Sequence, residues 1–134
     1  MNQGIQDTIK DPVLKDSGCY FLCLLKMAEL VRKREITEDQ IIYLFTLAKR
    51  LEYVQKDATV LFPHDVVNLA IQEPLYTKTT IRYEKPLEEY FITYLTKPGY
   101  GHFNLQKGNG VWDPLNPQRL AAKDYKVTSY RAIT

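Results

Sequence analysis

Between Gly18 and Val31 the chain reads G-C-Y-F-L-C-L-L-K-M-A-E-L-V, with Lys26 and Glu29 as its only charges. No face of such a helix is polar, so it is stable only where neighbours cover its whole circumference. The stretch therefore predicts a central helix, with Asp16-Ser17 as its N-cap. Everything else has to be arranged around it. Thr37-Glu38-Asp39-Gln40 is a capping-box pattern. It opens a second helix through about Leu51 that carries Ile41, Leu44, Phe45 and Ala48 on one face. Pro63 suits a first helical turn and predicts a third helix over His64 to Ile71, stopped by Pro74.

From Thr77 the pattern changes. Thr79 to Tyr83, Tyr90 to Leu95, His102 to Gln106, Val111 to Asp113 and Lys126 to Ala132 are rich in β-branched and aromatic residues, with Pro and Gly between them. Four or five short strands with hairpin-length links predict an antiparallel sheet. Helices first and strands later is the α+β pattern, with N-terminal helices packed on a C-terminal sheet. At 134 residues and 15.6 kDa the expectation is one domain, 1–134, led by a polar segment over residues 1–15.

Composition excludes several classes. A net charge of +2 and no basic run longer than Arg32-Lys33-Arg34 give no footprint for nucleic acid. No apolar run approaches the roughly 18 residues of a membrane span, and Met1 to Lys10 is too polar for a signal peptide. Two cysteines four apart on one helix do not form a disulfide framework. A reduced, cytoplasmic protein is the expectation.

Three residues carry chemistry. Cys19 falls in the first turn of the central helix, where free backbone N–H groups and the helix dipole favour an anion. Cysteines at such positions become reactive thiolates, and the residue's own N–H can serve as an oxyanion donor. Gly18 before it would let a substrate backbone come close. Cys23, between Leu22 and Leu24, reads as core. His102 opens a strand in which His102, Asn104 and Gln106 share one face and Phe103 and Leu105 the other. Asp113 follows a glycine-rich turn, in Gly108-Asn109-Gly110-Val111-Trp112-Asp113-Pro114. Any hairpin loop of even length puts residues 102 and 113 on one face. A four-residue loop, Gln106 to Asn109, sets them directly opposite at about 5 Å. The competing turn, Asn109-Gly110, moves Asp113 about 13 Å along the strand from His102. In the first register Asp113 can orient the imidazole while His102 takes the proton of Cys19.

S-G-C-Y-F-L-C-L-L-K-M-A, then G-H-F-N-L, then W-D-P resembles the papain-like cysteine peptidases. The similarity is greatest to the compact branch that includes the bacteriocin leader-processing peptidases. It runs from about Asp16 to Leu115 and rests on those three motifs. It implies a papain-like fold, with Cys19 as nucleophile, His102 as general base and Asp113 as orienting acid. It further implies thiol hydrolysis of a peptide or amide bond in a peptide or protein substrate, with no cofactor and no metal. One position departs: those enzymes place a glutamine six residues before the cysteine, and here that residue is Val13, with Gln6 and Gln3 further off.

Two other readings compete. A zinc site from Cys19, Cys23, His64 and His102 has suitable ligands but lacks the knuckle spacing of structural sites. A catalytically inactive papain-like fold acting as a protein-interaction domain would suit ten tyrosines and exposed Tyr/Thr strands. Oligomeric state is not legible.

Overall fold

The computed structural model describes residues 1–116 and 124–134. Among the described residues five helices precede five strands: α1 (Ile5–Thr8), α2 (Pro12–Ser17), α3 (Cys19–Arg32), α4 (Glu38–Arg50) and α5 (Pro63–Ile71), then β1 (Thr79–Arg82), β2 (Tyr90–Lys97), β3 (Tyr100–Lys107), β4 (Gly110–Trp112) and β5 (Lys126–Ile133). The strands form one antiparallel sheet in the order β1-β5-β2-β3-β4. The chain is α+β, with its helices packed on the sheet.

The apolar α3 is central. It packs on α5 on one side and on β3 on the other. Phe21, Leu22, Cys23, Leu24 and Leu25 are wholly buried in it. Two ring contacts fix its lean: Tyr20 stacks on Phe103 of β3 at 4.1 Å, and Phe21 meets Phe45 of α4 at 5.3 Å. Both charges in α3 are used. Glu29 accepts from the Met1 amino group at 2.7 Å and from the Ile36 N–H at 2.8 Å, and it also binds Lys26. Burial opposes ionisation of Glu29, but these hydrogen bonds prevail and hold its carboxyl below the usual range.

α4 begins at the expected capping box, with Thr37 and Gln40 each bonding the other's backbone. The polar lead over residues 1–15 is itself structured. Asp11 caps α2 by accepting from the Val13 and Leu14 N–H groups, and Pro12 occupies its first turn. Asp16 and Ser17 therefore belong to α2, and Gly18, not Ser17, stands at the N-cap of α3. The Asp11-Pro12 pair was the sequence signal for this helix. α1 and its N-cap strap the segment after β4: the Gly4 N–H donates to the Asp113 carbonyl at 3.0 Å and the Gln6 N–H to the Pro114 carbonyl at 2.8 Å. Among the described residues no helix is long and apolar enough to cross a membrane.

Candidate active site

Cys19, His102 and Asp113, far apart in sequence, converge where the N-terminus of α3 meets the sheet. Cys19 is the first residue of α3, and its side chain is partly exposed. One turn on, the Cys23 thiol donates to the Phe103 carbonyl at 3.5 Å, which sets the helix against β3 and brings Cys19 to the level of His102. His102 is 3% exposed and Asp113 is 7% exposed. His102 Nε2 lies 2.8 Å from Asp113 Oδ1. With Nε2 engaged by the carboxylate, Nδ1 is the ring nitrogen left for a second partner. Cys19 lies close enough to this imidazole to raise its pKa.

The hairpin achieves this in neither of the two registers considered from sequence. Leu105 pairs with Trp112, Gln106 with Val111 and Lys107 with Gly110. The loop is thus Gly108-Asn109, two residues long, and Gly108 supplies the positive φ of 55° that it needs. Continued by one residue, this register would set Asp113 opposite Asn104 and diagonal to His102. Diagonal neighbours on one face are about 7–8 Å apart, which an imidazole and a carboxylate span between them. The even loop length kept both on one face, and side-chain reach did the rest. The Leu115 N–H also donates to Asp113 Oδ1 at 2.9 Å and holds the carboxylate in place.

Electrostatics follow the geometry. Burial disfavours the imidazolium, but the bond to Asp113, the nearness of Cys19 and the field of both raise the His102 pKa to about 9. Burial, together with the neighbouring Cys19 and Asp113, pushes the Cys23 thiol well above the ordinary thiol range, as suits a core residue.

The raised pKa makes folding stability depend on pH. An unfolded histidine titrates near about 6.5. Between that value and about 9 the folded chain holds a proton that the unfolded chain has lost. The stabilisation is therefore complete below about pH 6.5 and disappears as the pH rises through about 9, an effect of about 3 kcal/mol. Urea unfolding of the wild type is expected to show this fall, and Asp113→Asn should remove most of it. A profile for the wild type that is flat over that window would contradict the ion pair.

Two residues beside the site have structural reasons for their identity. At Gly18 the reason lies in the chain itself. A Cβ there would lie 2.5 Å from the Leu14 carbonyl oxygen and 2.8 Å from its Cα, so the turn from α2 into α3 admits only glycine. Val13, where the resembling enzymes carry glutamine, packs partly buried against the core. Gln6 comes near instead: it is buried, and its Nε2 donates to the Lys15 carbonyl at 3.2 Å, four residues before Cys19. Through its backbone bond to Pro114, Gln6 ties the Asp113 loop to the helix turn that presents Cys19. Only the tertiary fold reveals that role.

The zinc grouping does not assemble. His64 Nδ1 bonds Thr79 Oγ1 at 3.0 Å, and Cys23 is turned to Phe103. Among the described residues no group of three or more His, Cys, Asp and Glu side chains is placed to hold a metal.

No curated protein and no solved structure matches this chain. A family model does match it, over residues 3–134, which takes in every helix, every strand and all three site residues; the chain belongs to the family described as "Protein of unknown function, DUF261".

Proposed function

We propose that this protein is a papain-like cysteine hydrolase that cleaves a peptide or amide bond through Cys19, His102 and Asp113. The observation that carries the reading is the buried 2.8 Å bond from His102 Nε2 to Asp113, with Cys19 close enough to the same ring to raise its pKa. With Nε2–H donating to Asp113, Nδ1 is the nitrogen that takes the thiol proton, and the raised His102 pKa favours the imidazolium that this transfer forms. The thiolate attacks the substrate carbonyl carbon, and the backbone N–H of Cys19 at the helix end faces the oxygen on which charge develops. As the C–N bond breaks, His102 returns the proton to the leaving amine, which departs and leaves an acyl thioester on Cys19. Water then attacks the thioester, giving its proton to His102. The acid leaves, and the proton returns to the Cys19 sulfur.

The second oxyanion donor of the resembling enzymes has no counterpart at Val13, and loss of one such donor costs about 10²–10³ in rate. An activated ester is therefore the right first substrate. p-Nitrophenyl acetate is expected to leave one acetyl group on Cys19, detected by mass spectrometry, and Cys19→Ala to abolish it while Cys23→Ala does not. A folded wild type that shows no adduct and no Cys19-dependent release of p-nitrophenolate would contradict hydrolysis.

One observation favours the interaction-domain reading instead. β1 is an outer strand, and Ile81, Tyr83 and Leu87 in and after it are 54%, 80% and 99% exposed. An inactive domain of this fold could bind a partner along that edge, and the acetylation experiment separates the two readings.

A further inference from the structure

The leaving-group side of the cleft carries a cation held between two aromatic rings. In the mechanism above His102 must deliver a proton to the leaving nitrogen. The part of the substrate beyond the scissile bond therefore lies against the imidazole and whatever flanks it. Tyr125 flanks it: the two rings are 6.1 Å apart. The Lys97 ammonium also packs on Tyr125, 4.6 Å from the centre of that ring and 5.3 Å from the centre of the Tyr100 ring. The β2–β3 hairpin builds this arrangement. Its Pro98-Gly99 turn, with Gly99 at φ 81°, makes Lys97 and Tyr100 direct cross-strand partners. Among the described residues no carboxylate forms an ion pair with Lys97. The rings hold the ammonium in place without neutralising it, since a cation over an aromatic face keeps its charge.

We infer that Lys97, framed by Tyr100 and Tyr125, is an anion subsite for the leaving portion of the substrate: it selects peptides bearing a carboxylate, terminal or side-chain, one or two residues beyond the scissile bond. This rests on the hydrolase reading, because His102 defines which side is which. The rings give the subsite a second property. They form apolar walls for the chain between the scissile bond and the carboxylate.

Two thiol reagents of equal length test it. N-bromoacetyl-glycylglycine and its C-terminal carboxamide both alkylate Cys19 by displacement of bromide, the sulfur–carbon bond forming as the carbon–bromine bond breaks. Two extended glycine residues reach about 7 Å beyond the reacting end. In the wild type the carboxylate reagent should react about three- to tenfold faster than the carboxamide, the range of a partly screened charge pair. That preference should shrink as salt rises from about 0.05 to 0.5 M. Lys97→Gln should bring the ratio of the two rates to about one, and Lys97→Arg should keep the preference. The His102 imidazolium acts equally in all three proteins, so the difference isolates residue 97. Fast carboxamide labelling with a preference unchanged in Lys97→Gln overturns the subsite and leaves the hydrolase reading standing. Slow carboxamide labelling that His102→Ala does not alter overturns the hydrolase reading, and the subsite with it.

Discussion

His102→Ala is expected to slow acetylation of Cys19 by p-nitrophenyl acetate about 10²–10⁴-fold, the usual contribution of a positioned general base. The fold should persist, with stability lowered at neutral pH by the loss of the ion pair. Removing the imidazole leaves a cavity and strands the Asp113 carboxylate, which retains the Leu115 N–H as a partner. The helices and sheet do not depend on the ring, so circular dichroism should be unchanged. Asp113→Asn should give a smaller loss, because an amide oxygen can still accept from Nε2 but no longer stabilises the imidazolium. Its diagnostic is the high-pH limb. In the wild type the acid form of His102 that serves the leaving group is lost near pH 9. In the variant that limb should move down towards about 6.5. Equal rates in wild type and His102→Ala would mean that the imidazole takes no part.

Gly18→Ala is the second large effect, and it arises from packing. Gly18 closes α2 by donating to the Leu14 carbonyl at 2.9 Å and opens α3 by accepting from the Leu22 N–H at 2.8 Å. A methyl group would meet Leu14 oxygen, Cα and carbonyl carbon, all within 3.0 Å. These are backbone atoms, so no rotamer change relieves the clash; the last turn of α2 or the first turn of α3 must move. Overpacking of this kind costs about 1–3 kcal/mol, or about 4–12 °C in Tm for a chain of this size. Because Cys19 is the next residue, the displacement also reaches the site, where a shift of about 1 Å can cost 10²-fold. Ser17→Ala, on the exposed neighbour, should change neither quantity. A Gly18→Ala protein with wild-type stability and labelling rate would show that the turn tolerates a side chain.

What the sequence disclosed and what it hid divide along physical lines. Elements with a strong local signal were legible: the apolarity of α3, the Thr37 capping box and the β-branched runs of the second half. The helix α2 was hidden by its polarity, although Asp11-Pro12 marked its start. Cys19, His102 and Asp113 stood out as residue types at telling positions. Their register did not, because Gly108-Asn109 and Asn109-Gly110 are both credible turns and the choice between them depends on how Trp112 is buried. The strap formed by Gly4 and Gln6, and the Lys97 pocket beside Tyr125, are contacts between distant segments with no local signature.

The most direct measurement of the central claim is the rate at which iodoacetamide modifies each cysteine in the native protein near pH 6.5. Cys19 is partly exposed at a helix N-terminus beside His102, and Cys23 is wholly buried one turn below. Cys19 should label rapidly and His102→Ala should slow it by at least about tenfold, while Cys23 stays unmodified until the chain unfolds. Slow labelling of Cys19 that His102→Ala does not change, and that rises only above about pH 8, would contradict an activated thiol at this site.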